Sequence, residues 1–161
     1  MNIPGFVTIT GESQGVIEGS CDLEELAGKI EIYAYEHLVD IPRDKHSGLP
    51  IGRRVHRAIT FTKEIDKSTP KLYQALCKGE KLSEVEFAWY RYVEGGGHDI
   101  YYTLRLENAL ITSIKPGIST QLKTGQQDSL QLKDVSLTYE KIIWTWVPDG
   151  IEFEDAWTVP E

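Results

Sequence analysis

Two stretches of this chain, residues 54–66 (RVHRAITFTKEID) and 135–146 (VSLTYEKIIWTW), carry apolar residues at every second position. That is the period of an extended strand, not of a helix. In the first stretch Val55, Ile59 and Phe61 share one face, and His56, Thr60 and Thr62 the other. In the second, Val135, Leu137 and Tyr139 share a face as far as Lys141, after which Ile142, Ile143, Trp144 and Trp146 make both faces apolar. A strand apolar on both sides needs cover on both sides.

Further strand-like runs cover residues 5–10, 29–39, 85–93, 100–111 and, weakly, 151–157; of the two stretches above, the first is strand-like over 54–61 and the second lies within a run over 130–146. Ile30, Ile32 and Ala34 alternate with Glu31, Tyr33 and Tyr35, and Val85, Phe87 and Trp89 with Glu86, Ala88 and Tyr90. Tyrosines on the second face predict an outer surface that is itself partly covered. Glu94-Gly95-Gly96-Gly97 is read as a hairpin turn, because a strand pattern follows it and a phosphate-cradling loop requires a helix start there. The one clear helix signal has Thr69 as N-cap, Pro70 at the first helical position and Gly79 as its end, with Leu72, Ala75 and Leu76 on one stripe. The pattern predicts a mainly β fold: a single-domain β-barrel of two packed antiparallel sheets with one short α-helix, spanning residues 1–161.

A chain of 161 residues supports one core of useful size. Its net charge of −8 repels phosphate backbones and argues against nucleic acid as a partner. No run approaches the roughly 20 apolar residues of a membrane helix, and the start has no signal-peptide pattern, so membrane insertion is not expected and synthesis in the cytosol is. Cys21 and Cys77 are expected to be free thiols.

The search for chemistry finds little. His37, His46, His56 and His98 have no metal-ligand spacing, so no metal and no cofactor are expected. His37 and His56 lie on strands and are placed to meet Glu36 or Glu64, but without an identifiable orienting group they read as structural histidines. Glu64 and Asp66 read as a charged strand end before the helix start. In Lys63-Glu64 and Glu140-Lys141 the two charges lie on opposite faces, so each is expected to pair with a neighbouring strand. No Gly-x-Ser-x-Gly elbow occurs, and neither cysteine has a histidine partner. No catalytic residue is assigned. Four tryptophans and eight tyrosines exceed what a small core readily hides and point equally to a large barrel core and to a protein interface.

Two long connections remain, 43–53 and 115–130. Connections of this length are functional or unstructured. The first sets Arg43, Asp44, Lys45, Arg53 and Arg54 on a backbone bent by Gly and Pro, which suits a polar contact with another chain.

The wording of the chain resembles the haemolysin-coregulated protein (Hcp) family of the type VI secretion system. The resemblance rests on IYAYEH at 32–37, Ile41-Pro42, GRRVH at 52–56, FTKEID at 61–66, STPKLYQA at 68–75, LENA at 106–109 and SLTYEKIIWT at 136–145. It covers most of the chain in the family's order. It implies a homo-oligomer, a hexameric ring with a wide central channel, whose rings stack into a tube. The implied partners are the type VI sheath, the VgrG-like spike, the baseplate and effector proteins held in the channel. The implied route is from the bacterial cytoplasm to the outside without a cleaved signal peptide. It also implies an assembly role for the loop of Asp44, Lys45, His46, Ser47, Gly48, Leu49, Pro50, Ile51, Gly52 and Arg53, which reaches across to neighbouring subunits.

Two departures are visible: His56-Arg57-Ala58 stands where many members carry His-Lys-Pro, and residues 118–131 match no family motif. The alternatives are a monomeric lipocalin-like barrel for an apolar ligand and a cupin-like metal enzyme. Particle mass, ligand-dependent melting and metal content separate the three.

Overall fold

The computed structural model describes residues 5–21, 26–118 and 130–158. The strands are β1 (Gly5–Gly11), β2 (Gly15–Ile17), β3 (Ile30–Glu36), β4 (Val39–Asp40), β5 (Val55–His56), β6 (Ile59–Glu64), β7 (Leu82–Tyr92), β8 (His98–Ile118), β9 (Leu130–Thr138), β10 (Lys141–Trp146) and β11 (Ile151–Ala156), and the helix is α1 (Thr69–Lys78). The fold is the mainly β barrel with one short helix that the alternation predicts.

The barrel closes through the order β8-β7-β1-β3-β6-β9 and back to β8, every pairing being antiparallel. Its inward residues are apolar: Val7, Ile9, Ile59, Phe61, Val85, Phe87, Leu104, Leu106, Val135 and Leu137 are all buried. The interior is filled by these side chains, as a small barrel requires. Phe6, Leu26, Ala88 and Tyr90 form a second buried cluster on the outer face, which is the covered second face the tyrosines predict.

One long hairpin generates the part of the molecule that leaves the barrel. Residues 110–118 of β8 pair with β9, and residues 102–107 of the same strand pair with β10. Between them the chain turns a corner at Asn108, whose φ of 51° is tolerated by asparagine better than by most residues. The Asn108 side-chain amide donates to Glu140 across the corner at 3.0 Å, which gives the LENA motif a physical reason. Past the corner β9 closes the barrel against β6, whereas β10 projects beyond it and is covered on its outer edge by β11.

Several local expectations are corrected. Residues 54–66 are two strands, not one. β5 pairs with β4 in a separate two-stranded ladder, while β6 lies in the barrel. The break at Arg57-Ala58 resets the alternation, so His56 is buried although it was assigned to the face opposite Phe61. In β3 a register shift between Ile32 and Ala34 exposes Ala34 and turns Tyr35 toward Phe87 and Trp89. The helix begins one residue earlier than read, with Ser68 as N-cap and no side-chain cap of its own. The Asp66 carboxylate does that work, accepting from the Ser68 amide at 2.9 Å. Gly79 ends the helix in the left-handed region at φ 63°, where glycine has no steric cost.

The triple-glycine turn joins β7 to β8 as expected, and Lys141 pairs with Glu154 on the neighbouring strand at 2.9 Å. Lys63 does not pair across strands. It turns inward to Asp66. The connection read as 115–130 is shorter, because β8 continues to Ile118; residues 119–129 lie outside the described part of the chain. Cys21 and Cys77 are free.

Candidate assembly surface

The ten loop residues singled out by sequence, Asp44 to Arg53, are gathered into one arm. At its root β4 and β5 pair Val39 with His56 and Asp40 with Val55. Further out the Ile51 amide donates to Pro42 at 2.7 Å and the Asp44 amide to Leu49 at 2.9 Å. At the tip the Asp44 carboxylate accepts from the amides of His46 at 2.7 Å and Ser47 at 3.0 Å. These backbone bonds hold its carboxyl below the usual carboxylate range. Asp44 therefore shapes the tip, and the outward charges are those of Arg43, Lys45 and Arg53. Apolar residues are outward too: Leu49 is 65% exposed and Ile51 53%.

Polar bonds fasten the arm to the projecting hairpin. Arg54 donates to both carboxylate oxygens of Asp155, its Nη2 lying 2.5 Å from Oδ1. His56 Nε2 lies 2.8 Å from the same carboxylate, and His56 Nδ1 2.7 Å from the Tyr139 hydroxyl. His37 Nε2 reaches that hydroxyl from the other side at 2.8 Å. Aromatic rings close over the polar groups, with His56 stacked on Trp157 and His37 on Trp144.

The environment sets each group's acidity. The Arg54 bond holds the Asp155 carboxyl down to about 2. Burial, reinforced by His56, lowers His37 to about 4, and burial pushes the Tyr139 phenol up.

Glu36 and Glu64, the carboxylates expected beside these histidines, are exposed and take no part. Sequence reasoning missed Asp155. The available signal was a carboxylate on the face of β11 that otherwise carries Ile151 and Phe153, an odd place for a charge without a partner.

That face continues into an exposed apolar ledge. Trp144 and Phe153 are cross-strand partners whose rings stack with centroids 6.0 Å apart. Phe153 is 67% exposed and Ile151 64%, with Trp146 beside them. β11 pairs only with β10 among the described residues, so its outer edge offers free N–H and C=O groups next to the ledge.

A family model described as "Type VI secretion system effector, Hcp" matches residues 6–146, most of the chain. The chain belongs to the Hcp family. It is 37% identical to the "Major exported protein" of Pseudomonas aeruginosa, over 99% of this chain and 98% of that one. Solved Hcp structures share the fold. One, of Hcp1 from E. coli EAEC 042, has a TM-score of 0.86 at 34% identity, covering 98% of this chain and all of the other. Another, of the secreted protein Hcp3 from Pseudomonas aeruginosa, has a TM-score of 0.78 at 32% identity over 98% of this chain. An uncharacterized E. coli protein, YhhZ, is 30% identical over 92% of this chain, but the match spans 36% of that longer protein.

Proposed function

We propose that this Hcp protein is the ring-forming subunit of a type VI secretion inner tube. The observation that carries the reading is the pairing of an unsatisfied strand edge with an exposed apolar ledge, Ile151 and Phe153, on a hairpin that projects from an otherwise closed barrel. A closed barrel has no edge to share. This chain adds one, and places the arm of Asp44 to Arg53 next to it. A patch on one copy meeting a different patch on the next is a heterologous contact, and such contacts close into a ring when the rotation per subunit divides a full turn.

In this reading six copies form the ring. The β11 edge and the Phe153 ledge take part in the contact between neighbours, and the outer arm, with Lys45, Arg53, Leu49 and Ile51, contacts a neighbouring subunit or the next ring. The tube works through stacking and movement, with the sheath, spike and baseplate as its partners and effector proteins as cargo in the channel. The relative called a major exported protein supports secretion of this chain as well. The role is structural, not enzymatic: the polar cluster most like a catalytic set, Tyr139–His56–Asp155, is roofed by Trp157 and serves to hold the arm.

Negative-stain electron microscopy of the purified protein tests the reading. Hollow rings of uniform diameter are expected. Compact particles of monomer size over a wide concentration range would overturn it.

A further inference from the structure

The Tyr139 hydroxyl is shared by two imidazoles, and the order of protons through it is fixed by the groups at the ends. Asp155 only accepts, so His56 must carry its proton on Nε2 and, when neutral, present a bare Nδ1. Tyr139 therefore donates to His56 Nδ1 and accepts from His37 Nε2. Each atom is satisfied, and no buried side-chain polar atom among the described residues lacks a partner. Charging His37 alone leaves both bonds as they are, and charging His56 alone is accommodated when the phenol's proton turns to a His37 that carries its own proton on Nδ1. Charging both cannot be accommodated, because two N–H donors would then face one oxygen whose own proton has no acceptor left, and a stranded buried donor is costly.

The same hydroxyl holds the two ends of the arm together, since His37 precedes β4 and His56 ends β5. We propose that this makes the root of the arm an acid-operated latch: a second proton in the cluster frees the His37 end of the arm and, through Trp144, which stacks on both His37 and Phe153, disturbs the ledge of the ring contact, while the barrel stays folded. The proposal rests on the assembly reading given above.

The groups that meet at the latch are Tyr35 and His37 from β3 and its exit, Arg54 and His56 at the return of the arm, Tyr139 at the barrel corner, and Asp155 on β11. Asp155 is the carboxylate among them, and Arg54 and His56 already share it, so it is not free to receive a charged His37. The Lys141–Glu154 pair belongs to the opposite face of the hairpin, and Asp40 is bonded to Arg57. Two stages follow. The His37 end lets go in mild acid, consistent with its lowered pKa of about 4, whereas the Arg54–Asp155 end holds until the carboxyl itself is protonated near 2.

The test compares the full chain with its His37→Gln variant, which keeps an N–H donor toward Tyr139 but cannot take a charge. Particle mass and tryptophan emission are followed from about pH 7.5 to about pH 3, which spans the His37 window and stops short of the Asp155 one. Trp144 reports directly because it stacks on His37. The wild type is expected to lose its rings and change emission together, with a midpoint below the ordinary histidine value, while its far-ultraviolet circular dichroism stays constant; the variant is expected to stay flat in all three. Superimposable curves for the two proteins, or a wild type unchanged throughout, would overturn the latch. Absence of rings at neutral pH would instead refute the assembly reading, leaving emission to judge the latch. Should the variant misfold, imidazole NMR titration of the wild type decides: His37 and His56 titrating independently of each other would sink the proposal.

Discussion

The ammonium of Lys63, on a side chain with no exposed surface, lies 2.9 Å from the carboxylate of Asp66. Around this pair the chain passes from β6 into α1. Lys63 also donates to the Glu64 carbonyl at 2.7 Å, and Asp66 accepts from the amides of Ser68 at 2.9 Å and Ser20 at 3.1 Å. Burial pushes the lysine's pKa down and would raise the aspartate's, but bonds from Ser68 and Lys63 outweigh that and hold Asp66 below its ordinary value. One carboxylate thus neutralises a buried cation and caps a helix.

Removing either partner should have unequal effects. Asp66→Ala leaves a fully buried charge without its partner and strips the helix cap, so a loss of about 3 to 5 kcal/mol is expected. Lys63→Met removes the buried charge itself, leaves Asp66 with its amide donors, and should cost clearly less. Urea melts of the two variants check the order; equal losses would mean the ion pair does not govern this junction.

Leu72 anchors α1 against the barrel and has no exposed surface. Leu72→Ala should destabilise the protein by about 2 to 5 kcal/mol, the range for a buried leucine that leaves a cavity. A loss under about 1 kcal/mol would show that the barrel does not depend on helix packing.

Acid should act in two windows. His37 has its folded pKa lowered to about 4, so below the ordinary histidine value the unfolded chain binds more protons and stability falls as pH drops toward 4. Asp155 is lowered to about 2, so its contribution is complete above the ordinary carboxylate pKa and is lost as pH falls toward 2. Replacing Arg54 with Ala should move the second window to higher pH, because the Arg54 bond is the main cause of the shift. Carboxyl-carbon NMR of Asp155 measures this; an unmoved titration would assign the shift to His56 instead.

The arm should tolerate charge reversal at some positions and not at others. Lys45→Glu with Arg53→Glu alters only outward charge, so rings are expected to survive and their stacking to weaken. Asp44→Lys removes the acceptor for two tip amides and should unfold the tip. Electron micrographs at matched concentration distinguish the outcomes. Loss of rings in the double variant would place these charges in the ring contact itself.

Much of this could be read from the sequence because barrel strands obey a local rule. The alternation of Val135, Leu137 and Tyr139, or of Val85 and Phe87, gives both the strand and its buried face from neighbours two positions apart. The rule failed where a distant partner decided the outcome. His56 is buried because Tyr139 and Asp155, 83 and 99 positions away, bond to it. Tyr35 turns inward because a register shift in β3 sets aside the alternation begun by Ile30 and Ile32. The loop of Asp44 to Arg53 was legible as an arm from its length and charge, but the ledge of Ile151 and Phe153 beside it was not. Its strand looked weak, and an exposed apolar face looks the same in sequence as a buried one.

In the proposed assembly the projecting hairpin makes the ring. Multi-angle light scattering of the wild type beside Phe153→Arg tests it most directly, because Phe153 is 67% exposed and its replacement removes no core packing from the barrel. A wild-type particle six times the 18.2 kDa chain mass is expected, beside a variant that is folded but largely monomeric. A wild-type monomer, or a variant that assembles as readily as the wild type, would contradict it.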